Sequence, residues 1–157
     1  MVKNLSNQEL QKIVNFIKEN YNEAPEHLYP KTVEELLKRD GESEVLVIED
    51  GFGIEGLSFF KFISPKLVEN YRTVVRLDTR RKGVSKKLSI LIEGMIVSMG
   101  ATKIKCHIYV DNYPSIFRRI KSGFLIEGLL RNHEEKGRHE YVLGKELKTQ
   151  ELEFDFE

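Results

Sequence analysis

The run "LDTRRKGVSKKLSILIEGMIVSMG", residues 77–100, places Arg80, Arg81, Lys82 and Gly83 directly ahead of a segment whose apolar residues step by three and four. The first turn of a helix leaves about four backbone N–H groups without intrahelical partners, and the aligned peptide dipoles add roughly half a positive charge at that end. Cations placed there oppose the dipole at about 0.3–1 kcal/mol each when exposed, and a bound anion removes the conflict. Gly83 has no Cβ to hold an oxyanion away from the main chain, the neighbouring cations offer charge-assisted hydrogen bonds, and Ser85 adds a hydroxyl. Several amides and several cations in one turn suit a diphosphate better than a single phosphate. Simple solvation of the turn is the alternative role for the same charges. No GxxxxGK[ST] pattern exists, so a P-loop nucleotidase is not supported.

Other chemistry-bearing residues are scattered. His107 lies in a β-rich stretch and reads as a packed or exposed strand residue, not a catalytic one. His133 and His139 stand six apart, which is not a metal-ligand spacing, so no metal is expected. Cys106 is the sole cysteine, which excludes an internal disulfide and a thiol metal framework; it reads as a small buried residue in a reducing, cytoplasmic setting. Lysine plus arginine total 25 and aspartate plus glutamate total 25, so no global charge draws the chain to nucleic acid or an acidic membrane, and any anion site must be local. No run approaches the roughly 18 apolar residues that span a bilayer, and the N-terminus has no signal-peptide core, so a soluble protein is expected. "NLS" at Asn4 matches a glycosylation acceptor but carries little without a secretory signal.

The elements that must position these residues can be read from caps and periodicity. Ser6 with Glu9 is a capping box, and Leu10, Ile13, Val14 and Ile17 follow at helical spacing, which predicts a helix from about Asn7 to Asn20. "NEAPEHLYPK" breaks it. Thr32 with Glu35 opens a second, short helix that Gly41 closes. "SEVLVIED" and "IEGLSFFKFI" flank "EDGFG" as a hairpin, and "YRTVVRL" reads as a third strand ending at Leu77. A helix follows from Val84 to Gly100, then the strand "TKIKCHIYV", the helix "YPSIFRRIKS" ending at Gly123, and the strands "FLIEGLLR" and "RHEYVLGKEL". The tail "KTQELEFDFE" is acidic, although Leu152, Phe154 and Phe156 alternate and could add an edge strand. With 40% hydrophobic and 32% charged residues, 157 residues suit one domain, here 1–147 followed by a tail at 148–157. The order implies an α/β fold of three layers, a mixed and largely antiparallel sheet flanked by helices, with a parallel pair around the Val84 helix.

These residues carry a resemblance to a known family. "VVRLDTRRKGVSKKL" resembles the cofactor motif of the GNAT superfamily of N-acetyltransferases, [RQ]xxGx[GA], here "RRKGVS" with Ser85 where glycine or alanine is usual. "VDNYPSIFRRIKSGF" resembles its asparagine loop, helix and glycine–phenylalanine, and "EGLLRNHEEKGRHEYVLGKEL" its closing hairpin, so the likeness spans about Val45 to Leu147. The resemblance implies acetyl-CoA as cosubstrate. Its pyrophosphate would be held by the backbone amides of Arg81, Lys82, Gly83, Val84, Ser85 and Lys86, with Arg80 beside them. Its pantetheine arm would pair with the strand that carries Val75, Arg76 and Leu77, and Asn112 would hydrogen-bond the same arm. Ordinary turn chemistry stays open for Asn112.

The same resemblance implies the catalytic candidates. Counting back from Gly83, Glu69 falls where some members place a catalytic glutamate, and Glu55 is a weaker base candidate on the strand that would face the acceptor. Where many members have a tyrosine that protonates the departing thiolate, this chain has Arg119, which keeps its proton and could act only by charge. Tyr113 is the substitute, with helix capping or packing as its other role. Arg131, His133 and Arg138 fall on the hairpin that often shapes the acceptor site. The implied enzyme is a cytoplasmic N-acetyltransferase acting by direct attack in a ternary complex on a primary amine: a protein N-terminus, a lysine or a small amine. A protein or peptide partner and a homodimer are compatible, and a membrane partner is not expected. The rival readings are a noncatalytic acyl-CoA-binding module and, behind it, a nucleic-acid footprint in "RTVVRLDTRRKGVSKK".

Overall fold

The computed structural model describes residues 1–21 and 29–148. Most of "NEAPEHLYPK", and Leu152, Phe154 and Phe156 of the tail, lie outside the described residues. The chain forms α1 (Asn7–Asn20), α2 (Val33–Asp40), β1 (Glu44–Asp50), β2 (Gly53–Ser64), β3 (Leu67–Val75), α3 (Val84–Ser98), β4 (Lys103–Tyr109), α4 (Tyr113–Lys121), β5 (Leu125–Leu130) and β6 (Glu140–Glu146). The caps do what their residue types dictate. Ser6 Oγ accepts from the Glu9 N–H at 3.2 Å while the Glu9 carboxylate accepts from the Ser6 N–H at 3.0 Å, and Thr32 Oγ1 accepts from the Glu35 N–H at 3.1 Å.

The six strands make one mixed sheet in the order β1-β2-β3-β4-β6-β5. β1 with β2, β4 with β6 and β5 with β6 are antiparallel, while β3 and β4 run parallel, as a strand–helix–strand connection through α3 requires. The parallel register covers Leu67–Glu69 against Lys103–Lys105, although β3 continues to Val75 and β4 to Tyr109. Among the described residues both outer pairs carry a break in register, with Glu55 of β2 unpaired opposite Ile48–Glu49 and Glu127 of β5 unpaired between Ile126 and Gly128.

β3 differs from its sequence expectation at both ends. It begins at Leu67, because Leu67, Val68 and Glu69 find ladder partners on β4, and it stops at Val75 instead of Leu77. Leu77–Thr79 is a 3-10 turn, closed by the Thr79 N–H and hydroxyl, both donating to the Arg76 carbonyl at 3.0 Å. Inside β3, Arg72 sits at φ 43, a conformation that side chains with a Cβ rarely adopt; its guanidinium is ion-paired to the buried Asp40, which also accepts from the Tyr71 hydroxyl at 2.9 Å.

The described residues fall into two compact units, the first comprising 1–62 and 70–92, the second 63–69 and the chain from Glu93 onward. The first has a core of Val2, Leu10, Ile13, Val14, Phe16, Ile17, Leu36, Leu57, Phe59 and Val74, all buried. Full burial of such a side chain stabilises by about 1.5–3 kcal/mol, so α1 is held mainly by the apolar face that its spacing created. In the second unit Val68, Ile96, Ile104, Cys106, Ile108, Ile116, Phe124 and Leu143 are buried. β4 alternates strictly there: Ile104, Cys106 and Ile108 are buried and Lys103, Lys105, His107 and Tyr109 half-buried on the other face.

The first turns of α3 are seated on a glycine. A Cβ on Gly56 of β2 would stand 2.9 Å from Val84 Cγ1 and 3.1 Å from Leu88 Cδ1, two buried side chains. Gly56→Val is therefore expected to destabilise the protein by about 1–3 kcal/mol through overpacking. Gly94→Ala, where a Cβ meets nothing within 4 Å, should be neutral or slightly stabilising on a helix. Thermal denaturation of the two variants beside the wild type checks both.

Candidate functional site

The basic turn in the first unit is built from its anchors outward. Arg76 donates through its backbone N–H to the Glu55 carbonyl at 2.9 Å, and its guanidinium reaches Asp50 Oδ1 at 2.9 Å, Asp50 Oδ2 at 2.6 Å, Asp78 Oδ1 at 2.7 Å and the Ile54 carbonyl at 3.2 Å. Asn20, buried at the end of α1, accepts from the Leu77 N–H at 3.1 Å on its side-chain oxygen and from the Arg80 guanidinium at 2.6 Å on its carbonyl, while its amide donates to the Phe16 carbonyl at 2.9 Å. Arg76 and Arg80 are thus spent on the protein itself. The field of two carboxylates raises the Arg76 pKa further above its usual value.

Beyond those anchors the turn opens. Arg81 has φ 64 and Gly83 φ 83, and a Cβ on Gly83 would meet nothing within 4 Å. Arg81, Lys82, Gly83 and Lys86 are exposed, Ser85 is half-buried, and Val84 is buried as the peg of the helix. The Lys87 N–H donates to the Gly83 carbonyl at 3.0 Å, the first bond of the helix, so the amides of Val84, Ser85 and Lys86 precede any intrahelical partner. Left-handed residues followed by helix-end amides are the kind of backbone that can offer N–H groups to phosphate oxygens. The residues present fit a diphosphate. Gly51, Gly53 and Gly56 have GxGxxG spacing, but they belong to the β1–β2 turn and β2 of an antiparallel hairpin, without the strand-to-helix context such a motif needs.

A second constellation forms in the other unit, on the half-buried face of β4. Glu69 pairs with Lys105 and Glu140 with Tyr109, which puts Glu69, Lys105, His107, Tyr109 and Glu140 on one side of their strands. The β5–β6 loop brings His133 beside His107, with ring centroids 5.6 Å apart, and sets the Arg138 guanidinium 3.6 Å over the Tyr109 ring. His139 closes this loop by accepting the Asn132 N–H at 3.2 Å, and Asn132 accepts the Gly137 N–H at 2.7 Å. Burial, opposed by Glu69, holds the His107 pKa below 6.5; burial, reinforced by Glu134, raises that of Glu140. His107 Nε2, the Tyr109 hydroxyl and Glu140 Oε2 are buried without a hydrogen-bond partner. Sequence reasoning passed over Glu140 and read His107 as an ordinary packed or exposed strand residue, and only the alternation of β4 hinted that His107 faces away from the apolar layer.

The remaining candidates are placed as follows. Glu69 is half-buried, and its charge acts on both His107 and Cys106. Arg119 is buried on α4 with its guanidinium 5.0 Å from the Phe124 ring centroid, and it too acts on Cys106, whose thiol burial pushes up. Tyr113 begins α4 and is 62% exposed. Asn112 caps that helix, its oxygen accepting from the Ser115 N–H at 3.4 Å. Glu55 is half-buried in β2, next to the Arg76 anchor through its carbonyl.

No family model matches the sequence, and no curated protein matches it. Solved structures do match its fold. The ribosomal-protein-S18-alanine N-acetyltransferase of Escherichia coli aligns at TM-score 0.75 with 11% identity over 97% of this chain and 96% of its own. Ard1 of Thermoplasma volcanium aligns at 0.75 with 16% identity over 92% and 95%, and an aminoglycoside 6'-acetyltransferase type Ii at 0.74 with 19% identity over 93% and 94%. The chain has the fold of the GNAT N-acetyltransferases, a mixed α/β sheet with helices.

The Asp50–Arg76 pair has a definite pH signature. Arg76 lowers the Asp50 pKa from 3.8 to about 2 in the folded protein, so the stabilisation is complete above the unfolded value and is lost as pH falls from about 4 toward 2. Melting curves of wild type and Asp50→Asn between neutral pH and pH 2 should show a gap that closes over that window. A gap unchanged at pH 2 would mean that Asp50 does not hold the turn by its charge.

Proposed function

We propose that the chain is an acetyl-CoA-dependent N-acetyltransferase that moves an acetyl group to a primary amine, a GNAT enzyme in activity as in fold. The observation that carries this reading is the basic turn, where Arg81 and Gly83 take left-handed torsions and open space faces Gly83 ahead of the α3 amides. The backbone N–H groups of Arg81, Gly83, Val84, Ser85 and Lys86 would hold the pyrophosphate, that of Lys82 being already bonded to the Thr79 carbonyl at 3.3 Å, with the side chains of Arg81, Lys82 and Lys86 adding charge. β3 has its β4 ladder only through Glu69, and the main chain from there to Val75 would offer the pantetheine arm a strand-like edge; Arg76 and Leu77 fall outside it, because the Arg76 N–H and carbonyl are bonded to Glu55 and Thr79 and the Leu77 N–H to Asn20.

Bound acetyl-CoA supplies an acyl carbon activated by its thioester and a thiol as leaving group. The chain must provide a neutral amine and tolerate a thiolate. Glu69 takes the ammonium proton, directly or through water, which is easier for a protein N-terminus near pKa 8 than for a lysine near 10.4. A free thiol titrates near 8.5, so the departing sulfur can take its proton from water, and Arg119 need only contribute charge. Tyr113, exposed at the start of α4, contacts the acceptor or solvent. A protein or peptide N-terminus is the first acceptor to test.

One observation favours a second reading, a noncatalytic acyl-CoA-binding module: Arg119 is buried against Phe124, where no titrating proton donor stands. A nucleic-acid role is weakened because Arg76 and Arg80 are already engaged by protein groups. Thiol release with peptide, polyamine and aminoglycoside acceptors separates enzyme from module, since a module is stabilised by CoA yet releases nothing.

Two variants test the assignment. Gly83→Glu puts a carboxylate where phosphate should lie, and CoA should no longer raise the melting temperature; an unchanged shift would remove the site. Glu69→Gln should keep the CoA shift and lower turnover about 100-fold or more, whereas wild-type turnover in a thiol-release assay would exclude Glu69 as the base.

A further inference from the structure

We propose that His107, His133 and Glu140 form a binding site for a divalent first-row transition ion, with zinc the best match. One ligand atom from each of the three lies within 4.8 Å of those of the other two. The residues come from β4, the β5–β6 loop and β6, so the cluster is made by the fold and no spacing in the chain announces it.

Two independent features point to a ligand. Glu140 is only 4% exposed and its Oε2 is buried with no hydrogen-bond partner; His107 Nε2 is in the same condition. Buried carboxylates and imidazoles in proteins find partners, because an unsatisfied one forfeits its hydration without return. Here the two residues that carry these atoms belong to a set whose remaining member, His133, is exposed and carried on a loop. A single cation satisfies all three at once.

The donor chemistry selects the cation. Two imidazole nitrogens and one carboxylate suit zinc and its first-row neighbours, while calcium and magnesium prefer all-oxygen shells. Ligand atoms bound tetrahedrally at 2.0–2.2 Å stand about 3.3 Å apart, so ion binding would draw together atoms that now lie within 4.8 Å of one another. His107 and Glu140 sit on paired strands, His107 opposite Val142 and Glu140 opposite Tyr109, which fixes their spacing. Glu69 and Glu134 add negative potential at the cluster against Lys105 and Arg138. Three protein ligands leave a fourth position for water. Cys106 points to the opposite, buried face of β4 and is not part of the set.

The test uses the full chain, stripped with chelator and titrated with zinc by calorimetry and with cobalt(II) by visible absorption. One equivalent should bind, and the cobalt bands should have the intensity of a four- or five-coordinate ion. His133→Ala, a surface change that leaves the strands intact, should weaken binding by at least about tenfold. Glu140→Gln, checked for folding by circular dichroism, should do the same, and Lys136→Ala, an exposed change on the same loop, should not. The proposal is overturned if the wild type takes up neither ion, if His133→Ala binds as tightly as the wild type, or if Lys136→Ala loses as much as His133→Ala.

Discussion

The Arg76 guanidinium, held between Asp50 and Asp78 and against the Ile54 carbonyl, is the joint on which the basic turn depends. A turn that keeps exposed cations beside a positive helix end, with a non-glycine residue at positive φ, does not persist on local preference alone. Order has to be imposed from outside. It comes from the β1–β2 hairpin through Arg76 and from the buried end of α1 through Asn20, which meets the backbone of Leu77 and the side chain of Arg80. Two of the cations that look from the sequence like ligand contacts are therefore the braces that hold the others in place. This division explains how a chain with equal numbers of acidic and basic residues keeps a strongly positive surface at one point.

Most of the element pattern was legible because its causes are local. Capping boxes, three-and-four stepping and turn glycines act within a few residues, so α1, α2, α3 and α4 stand where the sequence puts them. β3 was misjudged at both ends for the opposite reason. Leu67, Val68 and Glu69 become strand through pairing with β4, and Leu77 leaves it because Thr79 folds back on Arg76. Neither partner can be identified from the stretch itself. Arg72 at positive φ likewise goes with a partner remote in the chain, the buried Asp40 to which it is ion-paired.

The candidate site was legible to the extent that it is contiguous. Gly83 and its neighbours carry their chemistry in one turn, so residue types alone suggested an anion. His107, His133 and Glu140 share nothing in the chain. Spacing could only compare His133 with His139, and the fold gives those two different work, His139 closing the loop and His133 turning toward His107. The glycines at 51, 53 and 56 show the converse error that contiguity invites: a familiar spacing made by a hairpin and by the close seat of α3 on Gly56.

The breaks in register in the β1–β2 and β5–β6 pairs bear on how copies of this protein meet. A sheet that ends in straight, regular strands offers its outer backbone as a template on which further chains can stack. Among the described residues both outer pairs are irregular, with Glu55 of β2 the extra residue opposite Ile48–Glu49 and Glu127 of β5 the extra residue opposite Val142–Leu143, and Glu127 is ion-paired with Lys103 at 2.7 Å. Concentrated solutions should thus be guarded against filament growth by shape at each margin, independently of how many charges the surface carries.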